Sequence, residues 1–303
     1  MNKRSRGRAG RALLWLLAVL LMLAAVIYQR RTGPTYPLRG DVTISGETIS
    51  YRLIRSEETI RDARVALPDP GSTEGWVVYK RYKTEDEWTR LPMQVESLDD
   101  GREMAAYLPP QPAAGKLEYY VELRGANGKA RIPNEASTGT ESKDGNIIIR
   151  FKDPVPLPLL LSHVLLMFFS VLVGMRTGLA ALFAPRGMRG LAWTTLVGMT
   201  VGGMVLGPFV QKYAFGKYWT GFPWGFDLTD NKMLIMWIAW VLACSTIGLK
   251  ASGKETVGRA VVIAATLVMM VVYLIPHSMR GSELDYAKLD SGVAPSEAVG
   301  TGD

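Results

Sequence analysis

The stretch VPLPLLLSHVLLMFFSVLVGM, residues 155–175, decides the class of this protein. A bilayer's apolar core takes about 20 residues of helix, and this run is long and apolar enough to fill it. Its one titratable side chain is His163. Working outward, four more stretches read the same way: residues 12–28, 191–210, 233–249 and 260–276. Residues 29–154 are polar by comparison. The expected architecture is an α-helical membrane bundle of five spans carrying one soluble domain.

Charge sets the orientation. The net charge is +7, which invites a nucleic-acid reading, but its distribution argues for a membrane one. Lys3, Arg4, Arg6, Arg8 and Arg11 precede the first apolar run. Arg176, Arg186 and Arg189 separate the second from the third, and Lys250, Lys254 and Arg259 the fourth from the fifth. Glu283, Asp285, Asp290, Glu297 and Asp303 make the C-terminal tail acidic. Short basic loops stay cytoplasmic. The N-terminus is then expected inside, and residues 29–154, the loop 211–232 and the tail 277–303 outside. Lys212, Lys217 and Lys232 in the outer loop are the dissenting charges. Residues 1–28 read as a basic tip and an uncleaved signal anchor, because the run ends in AVIYQRR without a small-x-small cleavage site. The expected location is a bacterial inner membrane, with lipid and other envelope proteins as partners and no nucleic acid. Cys244 is the single cysteine, so no internal disulfide forms and the outer domain must be held by its core.

Residues 29–154 alternate apolar and polar residues in short runs rich in β-branched and aromatic side chains. Runs at 41–45, 49–55, 64–67, 76–82, 90–95, 103–108, 117–123, 129–132 and 146–151 are separated by turn signals such as Ser45-Gly46, Asp99-Asp100-Gly101 and Asp144-Gly145. That spacing predicts an antiparallel all-β sandwich. Within it, residues 76–133 run from a paired-aromatic strand through Trp88, Pro92-Met93 and a Leu-Pro-Pro turn to AGKLEYYVEL. This order resembles the fibronectin-III-like and immunoglobulin-like modules of bacterial surface proteins, which implies the fold and no activity. Trp76, Tyr119 and Tyr120 are then expected in the core and rim.

In the membrane part, Gly198-x-x-x-Gly202 and Gly203-x-x-x-Gly207 let helices approach closely, and packing within the chain is expected over self-dimerisation. Pro156 and Pro158 suit a helix's first turn, and Pro276 stops one.

The chain has two histidines, His163 and His277, and the predicted topology puts both near the outer face. His163 lies about 10 Å below the outer end of its helix, at 1.5 Å per residue. Intramembrane titratable groups usually face a bundle interior. Between the histidines runs QKYAFGKYWTGFPWGFDLTDNK, residues 211–232. Its aromatics fit an interfacial belt, its glycines and Pro223 a defined turn, and Asp230 the N-cap of the next helix with Asp227 on the helix dipole. Tyr218-Trp219 and Trp224-Gly225-Phe226-Asp227 resemble the tryptophan-rich loop of haem-handling membrane proteins of cytochrome c assembly. In that family a W-G-x-W-W-x-W-D loop cradles haem and flanking histidines ligate iron. This loop has two tryptophans, and Phe226 stands before Asp227. The resemblance implies a haem b held by His163 and His277 as axial ligands, with Trp219, Trp224 and Asp227 around it. A divalent cation on His277 with Asp227, Asp230 or Glu283 is a second ligand chemistry, and plain backbone hydrogen bonding by each histidine a third reading. The chain also resembles bacterial polytopic membrane proteins with similar LIPHS…GSELDY endings, which implies no activity.

No Walker loop, dinucleotide fingerprint or Gly-x-Ser-x-Gly motif is present, so the sequence leans away from an enzyme. Three functions remain: a haem- or redox-linked membrane subunit, a non-enzymatic envelope assembly or interaction protein whose sandwich binds a partner, and a transporter.

Overall fold

The computed structural model describes residues 3–71, 73–99, 101–126, 128–134, 144–250, 255–276 and 281–300, with side chains from Ala9 onward. The chain divides into two compact units. One holds residues 1–33, 155–213 and 217–281, the other 34–154, 214–216 and 282–303.

The first unit is helical: α1 (Lys3–Thr32), α2 (Leu157–Phe183), α3 (Met188–Met199), a π-helical stretch (Thr200–Leu206), α4 (Gly207–Phe215), α5 (Leu228–Ile247) and α6 (Glu255–Leu274). Four helical segments are long and apolar enough to cross a membrane: Ala9–Thr32, Leu157–Phe183, Pro185–Phe215 and Glu255–Leu274. The 20-residue α5 opens on Asp230 and Lys232, which lowers its apolarity.

Helix ends follow local chemistry. Pro156 and Pro158 open α2, where a missing N–H costs nothing. The sequence reading put Arg176 in a cytoplasmic loop; instead α2 continues through TGLAALF, good helix formers, until Pro185 ends it. The Arg259 side chain donates to the terminal carbonyls of Ala181 and Leu182 at 2.7 and 3.1 Å. Arg189 does the same for Ile247 at 3.0 Å and pairs with Glu255. Both arginines answer carbonyls that a helix end leaves open and the negative end of its dipole.

Small residues set the helix packing. A side chain at Gly198 would meet Ser170, and one at Gly202 would meet Leu166, both on α2; one at Gly203 would meet Met233 on α5. The glycine pairs therefore serve packing within the chain. The core includes Val171, Met175, Met199, Trp240, Met269 and, from α1, Ala18 and Ala25. Gln29 ties α1 to the carbonyl of Tyr273 at 2.8 Å.

The second unit holds β1 (Leu38–Ile44), β2 (Glu47–Leu53), β3 (Ser56–Glu58), β4 (Ala63–Pro68), β5 (Glu74–Arg81), β6 (Thr89–Pro92), β7 (Gln94–Leu98), β8 (Gly101–Leu108), β9 (Lys116–Gly125), β10 (Gly128–Ile132) and β11 (Ile147–Lys152). One sheet runs β3-β11-β9-β5-β6, with β10 also on β9; a second runs β4-β8-β7; β1 and β2 form a hairpin. Ser45 and Gly46, both at positive φ, make the tight turn of that hairpin. Alternate residues point inward. Val65, Leu67, Met104 and Leu108 of the smaller sheet share a core with Val77, Leu117, Tyr119, Val121, Ile149 and Phe151 of the larger.

The acidic tail belongs to this unit. It forms β12 (Glu283–Leu284), α7 (Tyr286–Asp290), α8 (Pro295–Ala298) and β13 (Val299–Gly300). Leu284, Tyr286, Ala298 and Val299 pack with Ala114 and Phe215. Glu283 pairs with Lys116 and, at 2.8 Å, with Lys83. Arg81 bridges Asp86 at 2.6 Å and Asp290 at 2.7 Å. Burial alone would raise the Glu283 carboxyl, but Lys116 and Lys83 outweigh it and hold it below the ordinary range.

Candidate functional site

The loop at residues 217–232 folds as a closed network. Asp227, not the expected Asp230, is the N-cap of α5. Its backbone is extended, and its carboxylate accepts from the Thr229 N–H at 2.8 Å and the Asp230 N–H at 3.3 Å. Asp230 already has a place in the first helical turn, so its side chain turns back to the loop and accepts from the Thr220 N–H at 2.6 Å. The Thr220 hydroxyl lies between the two carboxylates, 3.2 Å from Asp227 and 3.3 Å from Asp230, and accepts from Gln211 at 2.6 Å. Asn231 accepts from the Phe222 N–H at 2.7 Å. Lys232, buried one turn into α5, donates to the carbonyl of Ile275. Gly281 approaches so closely that a Cβ there would sit 2.8 Å from the Asp227 carboxylate.

The tryptophans fall into different settings. The Trp219 Nε1–H donates to the Phe222 carbonyl at 3.1 Å. Trp224 is 81% exposed and Phe226 76%. Asp227 is thus committed to helix capping, and Trp224 projects from the loop.

His163 is half-buried, and its Nδ1 lies 2.8 Å from the Gly202 carbonyl in the π-helical stretch. That carbonyl also accepts from the Gly207 N–H, the shifted bond that a π-turn makes. The oxygen can only accept, so Nδ1 carries a proton, and the neutral ring has its lone pair on Nε2. His277 lies outside the described residues. Among the described residues, no group of three or more His, Cys, Asp or Glu side chains is placed to hold a metal ion.

A second feature stands on the outer face of the larger sheet. Strand pairing sets Trp76 opposite Glu122 and Val78 opposite Tyr120. Tyr119 turns inward instead, fully buried, and its hydroxyl donates to the Ile54 carbonyl at 2.7 Å. Trp88, 39% exposed, meets Tyr120 edge-on with ring centroids 5.3 Å apart. Cations cover these rings: Arg90 lies 4.0 Å and Arg124 5.7 Å from the Trp76 centroid, Arg131 4.3 Å from Tyr120 and Lys80 5.2 Å from Trp88. Contacts of this kind contribute about 0.5–1 kcal/mol each at exposed sites and hold both partners in place. Arg90 also pairs with Glu122 at 2.9 Å. The aromatic pair on β9 is legible in the sequence. The arginines come from β6, β9 and β10, so only strand register reveals the patch.

No family model and no curated protein matches the chain.

Proposed function

We propose that this is a five-span bacterial inner-membrane protein whose extracytoplasmic, immunoglobulin-like sandwich binds another envelope protein. Chain connectivity supports the span count. The chain leaves the β unit at residue 155, touches it at 214–216 and returns at 282. Helix α6 is apolar enough to cross. A chain that starts and ends on one side of a bilayer crosses an even number of times, which supports a crossing by α5 between 216 and 282. Basic residues then gather at the opposite helix ends, which supports a cytoplasmic N-terminus. The tail, part of the β unit, shares its compartment.

The observation that carries the binding reading is the Trp76–Trp88–Tyr120 face with its arginines. Trp, Tyr and Arg are the side chains that dominate interface hot spots, because they combine large area with few rotamers and firm polar contacts. Lys80, Arg90, Arg124, Lys129 and Arg131 outnumber the acids on that face, Glu74, Glu118 and Glu122, so the fitting partner presents an acidic surface. Trp88→Ala with Arg90→Ala, both side chains at the surface, should abolish co-purification of that partner with the full-length protein. The β unit's melting should stay near wild type. Unchanged co-purification, or transfer of the effect to anionic vesicles, would replace this reading.

The haem reading keeps one supporting observation. A histidine that ligates iron through Nε2 usually donates Nδ1–H to a carbonyl, and His163 does so to Gly202. A reduced-minus-oxidised spectrum with a Soret band lost in His163→Ala would favour it. A featureless spectrum after haem-supplemented expression would remove it.

A further inference from the structure

Arg176 sits inside α2 and is 4% exposed within the protein alone, yet its Nε and Nη1 have no hydrogen-bond partner among the described residues. Trp15 of α1 lies against it, with its ring centroid 5.5 Å from the guanidinium carbon. The helical unit holds three acidic residues, Asp227, Asp230 and Glu255. The first two belong to the loop network, and Glu255 pairs with Arg189. No carboxylate of this unit is therefore left for Arg176. Nor does it follow Arg189 and Arg259, which answer helix-end carbonyls. Nη2 is not sealed in the same way, so that end of the fork is the part an outside group can reach. A buried, uncompensated guanidinium is costly, and in a membrane-crossing helix it marks a site for an anion.

Arg176 lies seven residues from the end of α2, about 10 Å along the axis. Seven residues, two turns, in the other direction stands Phe169, which lines an apolar groove of about 400 Å³ with Leu166, Trp193, Val197, Gly198 and Val201. Residues seven apart share a helix face. A charged headgroup near the helix end and an acyl chain running toward the bilayer centre match the layout of one phospholipid.

We infer that Arg176 binds the phosphate of an anionic phospholipid whose acyl chain lies in the α2–α3 groove. The orientation proposed above makes this a lipid of the inner leaflet, but binding itself does not depend on that orientation. The guanidinium offers the planar N–H pair that phosphate oxygens accept, and Trp15 covers its face.

The test is native mass spectrometry of the full-length protein in mild detergent, titrated with phosphatidylglycerol, phosphatidylcholine or inorganic phosphate. Wild type should retain phosphatidylglycerol over phosphatidylcholine. Arg176→Gln should lose that retention about tenfold, the loss expected for a charge-assisted pair of hydrogen bonds. Val197→Trp fills the groove without touching charge and should lower lipid retention, whereas binding of free phosphate would not respond. Arg176→Lys, which keeps charge without the fork, should fall between and serves if the glutamine variant does not fold. Equal lipid retention in wild type and Arg176→Gln overturns the inference. So does lipid retention indifferent to Val197→Trp, which would leave the headgroup phosphate alone as the ligand.

Discussion

The Tyr286 hydroxyl accepts from the backbone N–H of Lys116 at 3.0 Å and reaches the carbonyl of the same residue at 2.9 Å. A tail side chain thus reaches both hydrogen-bonding groups at the start of β9, sharing the carbonyl with the Tyr82 N–H at 3.0 Å. The contact spans 170 residues of sequence and is buried. It joins the last segment of the chain to the first soluble one.

Tyr286→Phe keeps the ring but takes the acceptor from the buried Lys116 N–H, while the Lys116 carbonyl keeps the Tyr82 N–H at 3.0 Å. The expected loss is about 2 kcal/mol, a factor of about 30 in the opening of the tail. Hydrogen exchange at the Leu284 amide, bonded to the Ala114 carbonyl at 3.1 Å, reads it directly. Exchange unchanged from wild type would show that the phenol adds nothing.

Tail docking should also depend on pH. The Glu283 carboxyl is held below its ordinary value of 4.5 when folded. A depressed pKa contributes stability that is present above the ordinary value and lost as pH falls through the folded one. Protease sensitivity of residues 281–300 should therefore rise as pH drops below about 4.5. Glu283→Gln should raise it at pH 7 and flatten part of the pH dependence. Asp290, lowered by Arg81, contributes in the same direction.

A Cβ at Gly202 would sit 2.9 Å from that of Leu166, whereas one at Gly190 meets nothing within 4 Å. Gly202→Leu should lower the melting temperature in detergent by overpacking worth about 1–3 kcal/mol, and disturb the His163 contact. Gly190→Leu should be nearly silent. Equal effects would mean that the α2–α3 approach is looser than described.

Much of the fold is legible in the sequence, because apolar length and period-2 alternation are local signals. Eight strand runs and the apolar segments are read close to where they form; the run at 90–95 splits into β6 and β7 of different sheets, and β3, parallel to β11 where an antiparallel fold is expected, is missed. Three features escape for physical reasons. The cap position at Asp227 depends on which aspartate keeps an extended backbone, and Asp-Leu-Thr-Asp permits either. Arg176 looks like a loop charge because hydropathy falls there, although helix propensity does not. The tail looks like a solvated acidic run, since its partners Lys116, Lys83 and Arg81 lie far away in sequence. The candidate site is less legible still: an aromatic face can be guessed from EYYVEL, but its arginines meet it only through register.

The most direct test of the binding reading is site-resolved photo-crosslinking in living cells. A photoreactive residue replaces Trp88 on the proposed face, and another replaces Ile60, 70% exposed, as a control. The account predicts one discrete protein adduct from position 88 that weakens with Arg90→Ala, and none from position 60. Adducts of equal strength from both positions, or none from position 88 in a correctly inserted protein, would contradict it.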